Sequence, residues 1–157
     1  MNSIEVTGKV CFLYKRLAKK TALKVLEIMN QPDGLEVAID FVSGEEIKRL
    51  NSETRNIDRV TDVLSYPAFE IKAGDALDLA SEEVAFLKTE NGFVHFGDMA
   101  LCFEQCKKQA KEYGVSVKSE IKKLVIHSML HLMGYDHIED ADFEIMNKKE
   151  QEIAELI

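Results

Sequence analysis

Between Leu124 and His137 the chain reads Leu-Val-Ile-His-Ser-Met-Leu-His-Leu-Met-Gly-Tyr-Asp-His, and three of its four histidines fall there. The largely apolar run from Ile121 to Met133 holds neither Pro nor Gly, so it reads as a helix, with Gly134 supplying a left-handed stop. At about 100° per residue, a spacing of four brings a side chain back to within about 40°, one turn along. His127 and His131 therefore share a face. A sharp turn at Gly134 can return His137 over the same face as a third ligand. The set H-x3-H-x5-H then offers one metal ion three imidazoles and leaves a fourth position open for water, as catalytic zinc requires.

A single histidine in an apolar helix is ordinarily a core residue with a hydrogen-bond partner. Two neutral imidazoles buried side by side differ, because without a metal an apolar helix leaves their donors and acceptors unsatisfied. The spacing is similar to the zinc peptidase signature H-E-x-x-H-x-x-G-x-x-H, with Gly134 at the matching place, so a zincin-like active-site helix is expected. Ser128 stands where a peptidase keeps its Glu. A hydroxyl cannot take a proton from bound water near neutral pH, which disfavours peptide hydrolysis.

With 157 residues, 46% of them hydrophobic, the chain suffices for one domain with a real core, and a single domain over 1–157 is expected. No run approaches the roughly 18 apolar residues of a membrane span, and Met1–Thr7 lacks the basic start and apolar stretch of a leader. Cys11, Cys102 and Cys106 show no paired metal spacing and read as reduced thiols of a cytoplasmic protein. A formal net charge of -8 argues against nonspecific coating of nucleic acid. Charge is nevertheless uneven: Lys107, Lys108, Lys111, Lys118, Lys122 and Lys123 outnumber Glu104, Glu112 and Glu120 between Glu104 and Lys123. Of these lysines, Lys123 falls on the histidine face.

Along the chain, Ser3–Thr7 reads as an edge strand. A helix over Cys11–Asn30 turns Phe12, Leu13, Leu17, Val25, Leu26 and Met29 inward and Lys15, Arg16, Lys19 and Lys20 outward. Leu35–Val42 reads as a strand covered on both faces. Ser43 and Glu46 form a capping box for a helix that fades near Asn51. A strand at Val63–Tyr66 follows, then an acidic, turn-rich stretch from Ala68 to Phe96 with one short helix near Ser81–Lys88. Next come a strand at Met99–Phe103, a helix to Tyr113, and the metal helix with Ser116 as its N-cap. The chain closes with a helix over Asp140–Ile157 whose Phe143, Met146, Ile153 and Leu156 face the core. The order βαβαβ, loop, βααα predicts an α/β fold with the metal helix at its centre.

The window around the histidines resembles the YbeY family of bacterial metal-dependent endoribonucleases, whose signature is H-G-x-L-H-L-x-G-Y-D-H. The matching residues are His127, Leu130, His131, Leu132, Gly134, Tyr135, Asp136 and His137, with Ser128 in place of Gly. A second stretch, Arg55 followed by Thr61-Asp62-Val63-Leu64-Ser65-Tyr66-Pro67, is similar to the family's R-x4-P-T-D-V-L-S-F-P, with Val60 replacing Pro and Tyr66 replacing Phe. Gly97-Asp98-Met99 resembles its G-D-I.

The resemblance implies a small mixed β-sheet packed with helices. It also implies a single-strand-specific endoribonuclease acting on rRNA precursor at the 3′ end of small-subunit rRNA and in ribosome quality control, with the ribosome or small-subunit proteins as partners. On that reading His127, His131 and His137 hold one Zn²⁺ per chain, and Arg55 holds a phosphodiester through two oxygens, a geometry a Lys cannot supply. Asp62 either orients a ligand ring or serves a turn. Asp136 is either a supporting partner or a general base, and Ser128 is a close-packing position. The basic side of the first helix, and Lys107, Lys108, Lys111, Lys118 and Lys122 of the later basic segment, are either RNA contacts or solvated surface. Two rivals stand beside this reading: a zinc hydrolase of another substrate such as peptide, and a noncatalytic ribosome-associated metal protein.

Overall fold

The computed structural model describes residues 1–157. Four strands, β1 (Ser3–Gly8), β2 (Leu35–Val42), β3 (Val63–Pro67) and β4 (Val94–Cys102), form one sheet in the order β1-β2-β4-β3. β1, β2 and β4 run parallel and β3 is antiparallel to β4, so the sheet is mixed. The helices are α1 (Phe12–Ile28), α2 (Gly44–Arg55), α3 (Glu82–Ala85), α4 (Phe103–Tyr113), α5 (Val117–Leu132) and α6 (Asp140–Leu156). None is long and apolar enough to cross a membrane.

In β2, Leu35, Val37, Ile39 and Phe41 alternate onto one face and are buried in the main core beneath α1 and α5. The other face is not covered along its length as expected, since Asp40 is exposed there and accepts from Thr7 Oγ1 at 2.8 Å. α2 packs on that side. It covers the end where Ile47 meets Leu64, Ala100 and Cys102.

α1 buries Ala18, Thr21, Ala22, Val25 and Leu26. Expected inward, Phe12 and Leu13 are instead 72% and 60% exposed. They lie about 120° and 140° around the helix from Ala18, so the small residues and not the aromatic set the packed face. In α6, Met146 and Ile153 are buried, whereas Phe143 and Leu156, also expected inward, lie in the terminal turns and stay exposed.

The start of α2 is half of a capping box. Ser43 Oγ accepts from Glu46 N at 3.1 Å, but the Glu46 carboxylate takes Arg49 at 2.6 Å, a charged donor in easy reach. The helix does not fade at Asn51, whose buried side chain donates to Arg59 O at 3.0 Å and pins the following loop. It continues to Arg55, where Asn56 stops it in the left-handed conformation at φ 59°.

β4 begins at Val94, well before the expected Met99, because its whole length pairs with β2. Gly97 inside it is a point of close approach and not a break. A Cβ there would lie 2.8 Å from Leu132 Cδ2 and 2.8 Å from Tyr66 O, so glycine lets α5 settle onto the sheet. The stretch from Ala68 to Phe96 is likewise more than an acidic loop. Phe69 and Val84 are buried, and Gln31 clasps it through Asp75 O at 3.1 Å and Leu77 N at 3.0 Å.

A candidate metal centre on the buried helix

α5 starts at Ser116, whose Oγ accepts from Ser119 N at 3.0 Å, and then buries Ile121, Leu124, Val125, Ile126, Met129, Leu130 and Leu132. A helix anchored on so much of its circumference holds whatever it presents in fixed positions. His127 and His131 are half-buried on its remaining face. The helix stops at Met133 and the chain reverses through Gly134 at φ 89°. Glycine is doubly required here, because a Cβ would come within 1.7 Å of Ile71 O, part of the acidic stretch crossing against the turn. Tyr135 then buries its ring and donates its N–H to Leu130 O at 3.0 Å, which sends the exposed His137 back over the helix face. One ligand nitrogen from each of the three histidines lies within 4.8 Å of the others.

The direction of the rings is set from behind. His131 Nδ1 is 2.9 Å from Tyr135 O, and a carbonyl can only accept, so Nδ1 carries the hydrogen. Burial first, and then the neighbouring His127, push the His131 pKa down to about 4, so at neutral pH its Nε2 is a bare lone pair. His127 Nδ1 is hydrogen-bonded to Glu150 Oε1, which directs its Nε2 to the same point. The two Nε2 atoms are 3.1 Å apart. With each Nδ1 turned to an oxygen, the two Nε2 atoms face each other at a distance that a shared cation, or one shared hydrogen, satisfies. Zn–N bonds of about 2.0–2.1 Å in tetrahedral geometry place two ligand nitrogens about 3.3 Å apart, so the residues fit a zinc ion.

Glu150 is the site residue that sequence spacing did not single out. It reaches His127 from α6, on the strip between the buried Met146 and Ile153. A carboxylate at i+4 on an otherwise apolar stripe was the legible sign.

Arg55 sits in the last turn of α2 and not in a loop. Its Nη2 donates to Ser65 O at 2.8 Å and its guanidinium lies 5.8 Å from the centre of the Tyr66 ring, while the side chain as a whole is exposed. Ser65 Oγ in turn shares a hydrogen bond of 2.7 Å with Ser128 Oγ, fully buried and next to His127. Arg55 is thus tied to the histidine helix through β3, with most of its donor fork unspent.

Asp62 faces its own turn, accepting from Val63 N at 2.7 Å, and Gln109 Nε2 at 3.2 Å joins it to the buried Glu120. Lys123 pairs with that Glu120 at 3.4 Å and lies over the Tyr113 ring at 4.6 Å. The exposed Asp136 accepts from Ile138 N at 3.4 Å. His95 bonds Asp98 at 2.8 Å and stands outside the histidine cluster.

A family model described as Endoribonuclease YbeY matches residues 4–157. The chain is 38% identical over 140 residues to an "Endoribonuclease YbeY" of Caldicellulosiruptor saccharolyticus, covering 89% of this chain and 84% of that one. It is 41% identical over 154 residues to the protein of the same name from Clostridium kluyveri, covering 97% and 92%. Among solved structures, the solution structure of a Thermotoga maritima protein superposes with a TM-score of 0.61 at 28% identity, covering 97% of this chain and 87% of that one.

Proposed function

The chain belongs to the endoribonuclease YbeY family, and from that premise we propose that it is a metal-dependent, single-strand-specific endoribonuclease maturing the 3′ end of small-subunit rRNA and serving ribosome quality control. The observation that carries the metal dependence is the convergence of three histidine nitrogens within 4.8 Å of one another, with the Nε2 atoms of His127 and His131 3.1 Å apart and each of those two rings held from behind by an oxygen. His127, His131 and His137 hold one Zn²⁺ per chain within a single domain. Three imidazole ligands suit that ion. Bound there, the ion supplies a Lewis acid for a phosphate oxygen.

The remaining work belongs to side chains. Arg55, braced on Ser65 O and Tyr66, uses its unspent N–H groups to grip the phosphodiester and to stabilise charge developing on it. Ser128 locks α5 to β3. Asp62 and Asp136 hold the turns that precede β3 and follow Tyr135. The substrate is an rRNA precursor met on the ribosome or with small-subunit proteins, in the cytoplasm.

A peptidase reading lacks its base. Ser128 is buried, and the carboxylate that does reach His127 comes from Glu150 on the Nδ1 side, away from the point where the ligand nitrogens converge. The test is to incubate zinc-loaded, nuclease-free protein with an rRNA precursor and with a peptide pool. Cleavage of single-stranded RNA segments with intact peptides is expected. Intact RNA with cleaved peptides would give the site to the peptidase, and no cleavage of either would leave a structural metal.

A further inference from the structure

We propose that Glu150 is a positioning residue of the metal centre, holding His127 in the one tautomer that can ligate and tying α6 to the occupancy of the site. This rests on the reading of the histidines as a metal centre.

His127 and His131 are supported differently. Behind His131 is a backbone carbonyl, Tyr135 O, fixed by the turn itself. Behind His127 is an acidic side chain on α6, which follows His137 in the chain, and its hydrogen bond comes from 23 residues away in sequence. Met146 and Ile153, both buried, seat α6 against the core and leave Glu150 between them half-buried with its carboxylate on Nδ1. The neighbouring Lys149 is spent on Glu152 at 2.8 Å, so Glu150 is not drawn off by that cation.

A carboxylate at Nδ1 has two effects on a ligating imidazole. It fixes the hydrogen on Nδ1, leaving the Nε2 lone pair for the metal, and it raises the basicity of that lone pair. The linkage is reciprocal: a metal on Nε2 makes Nδ1–H a stronger donor to Glu150, so metal binding tightens the docking of α6.

The experiment uses the full chain. Zinc affinity is measured by competition with a chelator for wild type, Glu150→Gln and Glu150→Ala, and the histidine tautomers of the metal-free wild type are read from imidazole nitrogen NMR. Glu150→Ala should bind zinc about 10–100-fold more weakly. Glu150→Gln should fall between, since its amide oxygen still accepts from Nδ1–H but carries no charge. In the wild type His127 should carry its hydrogen on Nδ1, and hydrogen exchange in α6 should slow when zinc is added. Equal zinc affinity in wild type and Glu150→Ala, or a hydrogen on Nε2 of His127 in the metal-free wild type, overturns the proposal. The tautomer needs no variant, so the second outcome decides even if Glu150→Ala fails to fold. A wild type that takes up no zinc strikes instead at the metal centre.

Discussion

At the scale of single residues, the separation between metal and phosphate roles is open to test. Arg55→Ala should leave metal content and melting temperature nearly unchanged, because the exposed side chain gives up one hydrogen bond worth about 1 kcal/mol. RNA cleavage should fall about 10²-fold or more, the scale of one lost transition-state donor. Arg55→Lys belongs between the two, having the charge without the fork. Normal cleavage by Arg55→Ala, or joint loss of metal and stability, would make Arg55 structural. Among the histidines, His131→Ala should lose zinc more completely than His137→Ala, as elemental analysis would show, since His131 is fixed on α5 and His137 follows a turn that can adapt. His131 also gives the metal-free protein a pH signature. Its pKa is lowered from 6.5 to about 4, so between those values the unfolded chain binds the proton better. The His131 contribution to stability is present above about 6.5 and is lost as pH falls toward about 4. Melting curves of metal-free wild type and His131→Ala across that range should show a shallower fall in the variant.

At the scale of elements, the turn after α5 does the work that makes three histidines one site. Gly134→Ala meets both a positive φ and the backbone of Ile71. It should destabilise by at least about 1–3 kcal/mol and weaken zinc binding together with stability, readable in one melting series with and without the ion. Zinc affinity left intact in a destabilised Gly134→Ala protein would mean that the turn does not position His137. The helix itself was legible, because Ser116, the apolar run and Gly134 are local signals that the tertiary structure leaves undisturbed. Faces and ends were less so. Phe12 and Leu13 fit an amphipathic pattern, yet α1 packs through Ala18 and Ala22, and its neighbours α5 and β1 decide which stripe is buried. β4 starts earlier than its sequence suggests because Val94–Phe96 closes the turn-rich stretch, and only pairing with β2 shows that the strand begins there.

At the scale of the whole molecule, the proposed RNA cleavage by a chain of net charge -8 must rely on local contacts over overall attraction. On α1, Arg16, Lys19 and Lys20 are exposed, whereas Lys123 on α5 is committed to Glu120. Removing the protein from its cell should leave small-subunit rRNA precursors with unprocessed 3′ ends. Normal ends in a clean deletion would favour the peptidase or structural rivals. The sequence by itself determined the three histidines, because a helical spacing and a glycine turn are properties of adjacent residues. It also determined the α/β order and, through the two signature stretches, the family. The tertiary structure alone decided what stands behind His127 and how the histidine helix is braced. Glu150 reaches His127 only when α6 folds back over α5, Ser65 finds Ser128 only across the sheet-to-helix packing, and Ile71 meets Gly134 only once the acidic stretch is laid down. Each is a contact between segments far apart in sequence, fixed by the packing of whole elements, so a local pattern can mark the residue, as the apolar stripe marks Glu150, but not its partner.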